Sequence, residues 1–486
     1  MPEDSPVNIG DLLARPSLAE RRVLGMQTKL HQWAAADPGR RFDDVFNLVA
    51  DPAFLVLAWI RVRENKGAKT AGIDGDTAWM IERNDGGVQR FLERLRSNLK
   101  DRSFVPAPVR QVMIPKPGTR KKRRLGIPTA RDRVVQAALK LVLEPILEID
   151  FLPCSYGFRP ERRCQDAIEE VRYLATRSYE WVFEADVASC FDEISHPSIM
   201  DRLRKRVGDK RVLALVKAFL KAGVLDGFGV LRGSHAGSPQ GGITSPLLAN
   251  LALSVLDEHF AEVWQRHRNP TARKDHRRRG GATYRLVRYC DDFVVMVSGN
   301  REQAERLWEE VATVLAGVGL RLAADKTRVV HIDEGFDFLG FRIRRDRQKG
   351  SDRHYIYTYP SKKALTAVMA KIKAATQTQR LDRPLDDVLR HPGLIARGWT
   401  LYFRHSSASK TFAYLRYYLW KRVVAWLRRR HAKPGWKRIR HRYFRQDWWP
   451  EWNGVRLFDP CTVKIVRYRY RGTKIPTPWA PQPETP

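Results

Sequence analysis

Asp291 and Asp292 are adjacent carboxylates set between two apolar runs, Tyr284 to Tyr289 and Phe293 to Val297. Successive side chains of a regular strand point to opposite faces, so neighbouring aspartates serve one site only where the chain turns. The pattern predicts two strands joined by a hairpin with the carboxylates at its tip. A partner carboxylate stands upstream as Asp186, at the end of the apolar run Trp181 to Ala185 and before a polar break. Carboxylates from separate strands can hold two Mg²⁺ ions roughly 3.5 to 4 Å apart, which clamp the attacking and leaving oxygens of an in-line phosphoryl transfer. An isolated Asp-Asp pair is more often a solvated turn, because Asp bonds its own backbone there. With Asp186 added, the chemistry to expect is nucleotide polymerisation.

The composition points to a polyanionic partner. Lys and Arg number 88 against 54 Asp and Glu, a net charge of +34 over 486 residues. Such a charge repels itself, and phosphate contacts that release counterions explain it most simply. A polybasic membrane-surface protein is the alternative, but no amphipathic anchor or lipidation signal accompanies the charge. No stretch approaches the roughly 18 apolar residues of a membrane span; the longest is Ala53 to Ile60. The start, Met1 to Pro6, is acidic and lacks a signal-peptide core, so a soluble, cytoplasmic protein without a membrane partner is expected. Cysteines at 154, 164, 190, 290 and 461 form no Cys-x-x-Cys pair, so neither a disulfide framework nor a zinc site is expected. Cys290, beside Asp291, is expected to make activity sensitive to thiol oxidation.

Seven segments in order resemble the reverse transcriptases encoded by bacterial group II introns, also called intron maturases. They are Asn65 to Gly75; Ile114 to Gly118 with Arg123 to Thr129 and Arg131 to Arg133; Tyr156 to Pro160; Asp186 with Phe191 and Asp192; Gly237 to Asn250, around Pro239-Gln240-Gly241; Tyr289-Cys290-Asp291-Asp292; and Phe338 to Phe341. Cys290 stands where that family usually has a small Ala. The resemblance implies an RNA-directed DNA polymerase that also binds intron RNA to assist splicing and mobility. Its catalytic residues and Mg²⁺ ligands would be Asp186, Asp291 and Asp292, hard oxygens for a hard cation. Two Mg²⁺ ions are expected, with Mn²⁺ as a substitute. Lys116 and Arg123 would clamp the nucleoside triphosphate. Phe191 would lie under the sugar, where a 2′-hydroxyl clashes, and Gln240 would border nucleotide and template. Partners would be intron RNA or another RNA template, a DNA primer or target, and dNTPs, near the bacterial nucleoid. The oligomeric state is left open.

The elements to position these groups form an α+β, right-hand polymerase: interleaved fingers and palm, an antiparallel palm sheet backed by helices, then a helical thumb. Residues 1–80 would be an amino-terminal helical extension that grips template, with Lys66 and Lys69 as nucleic-acid contacts. Phe42 to Ile60 has helical apolar spacing. Residues 81–350 would be fingers and palm, including a basic loop with Arg120, Lys121 and Lys122. Arg266 to Gly281 reads as an exposed basic loop, Ala304 to Leu315 as an amphipathic helix and Phe336 to Ile343 as one strand. Residues 355–432 would be the thumb or maturase domain, with Ser361 as an N-cap and Trp399 and Tyr402 as packing residues. Residues 433–486 would be a small basic, DNA-binding-like segment whose end, 477–486, is disordered. Lys421 to Arg445 holds eleven Lys and Arg and no acid; Arg428, Arg429, Arg430, Lys437 and Arg438 are the expected phosphate contacts there, while the interleaved rings face the core. Nothing after Trp449 supplies the metal-binding nuclease motifs of many relatives, so no DNA cutting is expected. Two other readings are the same enzyme serving host repair or phage defence outside an intron, and an RNA-binding splicing factor with an idle polymerase. Intact carboxylates argue against the second.

Overall fold

Pro16 opens α1 (Pro16–Ala36) and Pro52 opens α2 (Pro52–Glu64), positions where a missing N–H costs nothing. The structure is a computed structural model and describes residues 8–115, 122–377, 381–431, 435–444 and 448–480. Asp51 Oδ1 accepts from the Ala53 N–H at 2.8 Å, so the helical spacing of Phe42 to Ile60 is realised as a short turn, Phe46–Val49, followed by α2. α2 is buried almost all round, from Ala53 to Trp59, the mark of an interior helix.

The fingers hairpin consists of β1 (Val109–Pro115) and β2 (Lys122–Ile127), antiparallel with Ile114 opposite Arg123. Lys116, Arg120 and Lys121 lie outside the described residues. Thr129 then caps α3 (Ala130–Leu147), accepting from the Asp132 N–H at 3.1 Å. α3 is buried along most of its length and packs against α1 and α2. β3 (Trp181–Asp186) is followed by a small hairpin, β4 (Val224–Leu225) and β5 (Leu231–Arg232), which extends the fingers sheet in the order β2-β1-β4-β5. α4 (Ser245–Gln265) is the long palm helix. The expected loop at 266–281 is instead a helix, α5 (Pro270–Arg278). Asn269 Oδ1 accepts from the Ala272 N–H at 2.8 Å and Pro270 sits at the helix start, which outweighs the repulsion of its charges. None of its residues is buried. β6 (Thr283–Tyr289), β7 (Asp292–Ser298) and β8 (Arg328–His331) complete a palm sheet ordered β6-β7-β3-β8.

The chain divides into two compact units: residues 1–163, 183–329 and 472–486 form one, and 164–182 with 330–471 form the other. In the first, residues 477–480, expected to be disordered, pack on α1. Trp479 is buried and its Nε1 donates to Gln27 Oε1 at 3.3 Å; burying one large ring overrides the proline-rich composition around it. In the second, β9 (Phe336–Phe338), β10 (Phe341–Arg347) and β11 (His354–Pro360) form an antiparallel sheet. The strand expected over 336–343 is thus a tight hairpin, because Leu339 and Gly340 take φ of 49° and 83°. Helices α6 (Lys362–Ala375), α7 (Leu385–Phe403), α8 (Ser409–Arg430) and α9 (Trp436–Tyr443) bury Val368, Ile372, Leu389, Leu415, Leu419, Val423 and Trp426 between them. Ser361 caps α6, and Trp399 packs on Phe403 and Phe412. Beyond α9, Tyr470 stacks on Tyr173 at 4.3 Å while Arg471 pairs with Asp166.

The β6–β7 hairpin of the first unit is held by Arg288, a fully buried cation. Its Nε and Nη2 donate to Asp257 of α4 at 2.7 and 2.5 Å, and Nη2 also to Ser155 Oγ at 2.9 Å. Its Nη1 donates to Asn250 Oδ1 at 3.0 Å and to the Cys290 carbonyl at 3.1 Å. All five guanidinium N–H groups are used. We expect Arg288→Met, which leaves Asp257 buried and unpaired, to cost about 3–5 kcal/mol, and Arg288→Met/Asp257→Leu to recover most of it. Thermal unfolding of the three proteins checks this; equal midpoints for wild type and Arg288→Met would show the pair to be dispensable.

Candidate active site

β6 and β7 pair with Tyr289 opposite Asp292, leaving Cys290 and Asp291 as a two-residue turn. Cys290 takes φ of 59°, the positive value that primed hairpin turns require at their first central residue. Gly157 passes so close beneath that a Cβ there would stand 2.5 Å from the Cys290 nitrogen. That turn is fixed in place by buried Arg159, which donates to Glu148 and to the carbonyls of Leu152, Ser155 and Phe151. The Tyr156 to Pro160 segment is therefore the floor of the hairpin.

Asp186 ends β3, the strand beside β7, so the three predicted carboxylates converge. Burial, then the neighbouring charges of Asp186, Asp291 and Glu184, pushes Asp292 up to about 7. Asp291 is raised as well, chiefly by burial and by Asp186, with Arg123 of β2 acting in the opposite sense. Clustered, half-desolvated carboxylates of this kind favour a cation among them. Among the described residues no three carboxylate, thiol or imidazole groups stand close enough to cage an ion unaided. The donor set still fits Mg²⁺, which commonly takes one or two carboxylates and fills its shell with water and phosphate oxygens.

Sequence reasoning missed Lys326. Its Nζ is hydrogen-bonded to Asp186 Oδ2, and that contact raises the ammonium's pKa. The segment leading to it runs beside β3: the Ala188 N–H donates to the Arg321 carbonyl and the Ala323 N–H to the Asp186 carbonyl, at 2.9 and 2.8 Å. Glu184, two residues before Asp186, pairs with Arg328 at 2.8 Å. Arg288 was also missed, although a charge inside an apolar strand was a signal in plain view.

The surroundings of Cys290 do not favour the expected oxidation. The side chain is buried and its thiol is pushed up to about 12 by burial and by Asp291. The thiolate is the reactive form, so oxidation sensitivity is not supported here. All five cysteines are free thiols.

Phe191 and Gln240 line one cavity of about 790 Å³ with Arg124, Gln111, Met113 and Phe228; Asp186, Asp291 and Asp292 do not. The Pro239-Gln240-Gly241 turn is clasped from three sides. The Ser238 N–H donates to the Phe191 carbonyl at 2.6 Å, the Gly126 N–H of β2 to the Gln240 carbonyl at 2.8 Å, and the Ile243 N–H to Gln136 of α3 at 2.7 Å. Gly241 has φ of 122°, and a Cβ on it would meet the Gly126 carbonyl at 2.5 Å, so only glycine fits. His196 Nε2 donates to the Gly237 carbonyl at 2.7 Å and holds the turn's entry.

The basic residues are surface groups. Lys122 and Arg123 are exposed at the start of β2. Lys66 and Lys69 are exposed on a short turn that Arg133 holds through the Gly67 and Thr70 carbonyls. Arg428, Arg429, Arg430, Lys437 and Arg438 are exposed, whereas Trp426, Tyr443 and Phe444 face the core. No helix among the described residues is long and apolar enough to cross a membrane.

Comparison with known proteins gives this geometry its family. Residues 114–343 match the reverse transcriptase (RNA-dependent DNA polymerase) family, and residues 365–444 the group II intron maturase-specific domain. The chain is 38% identical to protein YkfC of Escherichia coli (strain K12) over 375 residues, 72% of this chain and 97% of that protein. It is 29% identical over 348 residues to the group II intron-encoded protein LtrA of Lactococcus lactis subsp. cremoris, covering 62% of this chain and 57% of LtrA. It is 28% identical over 336 residues to the putative COX1/OXI3 intron 1 protein of Saccharomyces cerevisiae, covering 62% of this chain and 39% of that protein. A polymerase domain with paired aspartates on a hairpin tip, followed by a maturase domain, places this chain in the group II intron-type reverse transcriptases, RNA-directed DNA polymerases.

Proposed function

We propose that this chain copies RNA into DNA at Asp186, Asp291 and Asp292, and that it grips intron RNA to assist splicing and mobility. The observation that carries the polymerase reading is the convergence of these carboxylates at the ends of neighbouring palm strands, where burial and the charge of Asp186 hold Asp291 and Asp292 above the ordinary carboxylate range. Asp186 and Asp291 would supply oxygens to a pair of Mg²⁺ ions, with Asp292 a ligand or a partner behind them. Bound Mg²⁺ polarises the phosphoryl oxygens and eases loss of the proton from an attacking hydroxyl; Mn²⁺, which takes the same hard ligands, is the expected substitute.

The residues position an in-line displacement in which a primer 3′-hydroxyl attacks the α-phosphate of a deoxynucleotide and pyrophosphate leaves. Arg123, within electrostatic reach of Asp291, and Lys116 would steady the triphosphate. The Phe191 ring would lie under the sugar and reject a 2′-hydroxyl, and Gln240 would border template and nucleotide. Splicing assistance would be binding without protein chemistry. Lys66, Lys69, Arg120, Lys121, Lys122 and the exposed cations of α8 and α9 would offset phosphate repulsion as the intron compacts.

Primer extension on an RNA template in Mg²⁺ tests this directly. Asp291→Ala/Asp292→Ala should lose roughly a thousandfold or more of the extension rate, several kcal/mol of barrier, while binding RNA as the wild type does. A folded wild type that binds RNA and extends nothing would leave splicing assistance as the better account. Phe191→Ala should raise the ratio of ribo- to deoxynucleotide use roughly ten- to a hundredfold; an unchanged ratio would remove the ring from sugar selection.

A further inference from the structure

The β4–β5 hairpin ends in a ring that the protein itself does not cover. Phe228 is 94% exposed, and Val230 and Leu231 beside it are 53% and 61% exposed. This is not a slack loop. Asp226 Oδ1 accepts from the N–H groups of Phe228 and Val230 at 2.9 and 3.0 Å, and Arg232 donates to Asp226 Oδ2. The Asp226 N–H donates to the Val230 carbonyl at 3.0 Å, and Gly229 takes φ of 80° to close the turn. A turn so fully bonded holds Phe228 in the open at a defined place.

That place is the wall of the cavity shared by Phe191, Gln240, Arg124 and Met113. Exposed Met113 of β1 extends the apolar surface, and the exposed Arg124 places a cation in the same wall, where a phosphate would pair with it. A bare ring carries no hydrogen-bonding edge. It can hold any nucleobase by its face while leaving the Watson–Crick edge free. A template base awaiting its partner needs that form of contact, because all four bases must be held alike and still be read.

The geometry points to Phe228 as a stacking platform for the unpaired template base next to be copied. The proposal rests on the polymerase reading given above and adds the residue that would steady the single strand at the cavity mouth.

A template RNA annealed to a DNA primer, with 2-aminopurine at the first unpaired template position, reads the stack as fluorescence quenching. Wild type should quench it. Phe228→Ser should lose the quench and bind the overhanging hybrid more weakly by roughly five- to a hundredfold, while binding a blunt hybrid of the same duplex equally. Phe228→Trp should keep both quench and affinity, which separates a stacking role from damage to the hairpin. Equal quenching and affinity for wild type and Phe228→Ser would overturn the proposal, as would equal losses on overhanging and blunt substrates. Primer extension by the same wild-type preparation separates the two readings. If it extends while Phe228→Ser stacks and binds unchanged, the platform alone fails; if it extends nothing, the polymerase reading fails first.

Discussion

The pairing of Arg288 with Asp257 is the constraint on which the rest of the site depends. Two buried charges cost several kcal/mol of desolvation each, and their attraction offsets this only when every polar atom is filled. Arg288 meets that condition by spending donors on a strand neighbour, on two residues of α4 and on the floor turn at Ser155. The gain is register. A one-residue slip of β6 would send every side chain to the opposite face, bring Val287 against Asp257 and move the turn off Cys290 and Asp291. A buried ion pair is a weak device for stability and a strong one for forbidding that slip.

Electrostatics of opposite sign then meet around this hairpin. The chain as a whole carries +34, yet its palm collects Asp186, Asp291, Asp292 and Glu184 at neighbouring strand ends. Lys326 and Arg328 answer two of them, Asp186 and Glu184. A basic surface draws in a phosphate backbone, and an acidic focus within it selects for a cation. The two fields are complementary because the nucleic acid and its metal arrive with opposite charges.

Much of this was legible in the chain. Apolar runs around Asp186 and Asp291 marked three strands, because strands buried at successive positions read as near-continuous apolar segments bounded by polar breaks. Trp426, Tyr443 and Phe444 read as core and are buried, whereas Tyr414 and Tyr417 on the same helix as Trp426 stand exposed. What escaped depended on distant pairing or on a single residue. Lys326 reaches Asp186 across 140 residues of sequence, and only the course of the chain beside β3 brings them together. The helix at 270–278 was announced by Asn269 and Pro270 but obscured by its charges. The β9–β10 turn places Leu339, a residue that ordinarily avoids it, at positive φ, and Gly340 was the available clue. One tryptophan within a proline-rich stretch gave no periodic signal at all.

That tryptophan bears on how the protein is made. Trp479 closes against Gln27 of α1, 452 residues away, so α1 finds one of its packing partners only after both compact units have been made. Until then the part of α1 that Trp479 covers stays open, and loop closure over some 450 residues comes late and slowly. Translation that stalls after α9 would therefore yield a chain with the β6–β7 hairpin complete and α1 unsealed. Such a product is a natural substrate for chaperones and proteases.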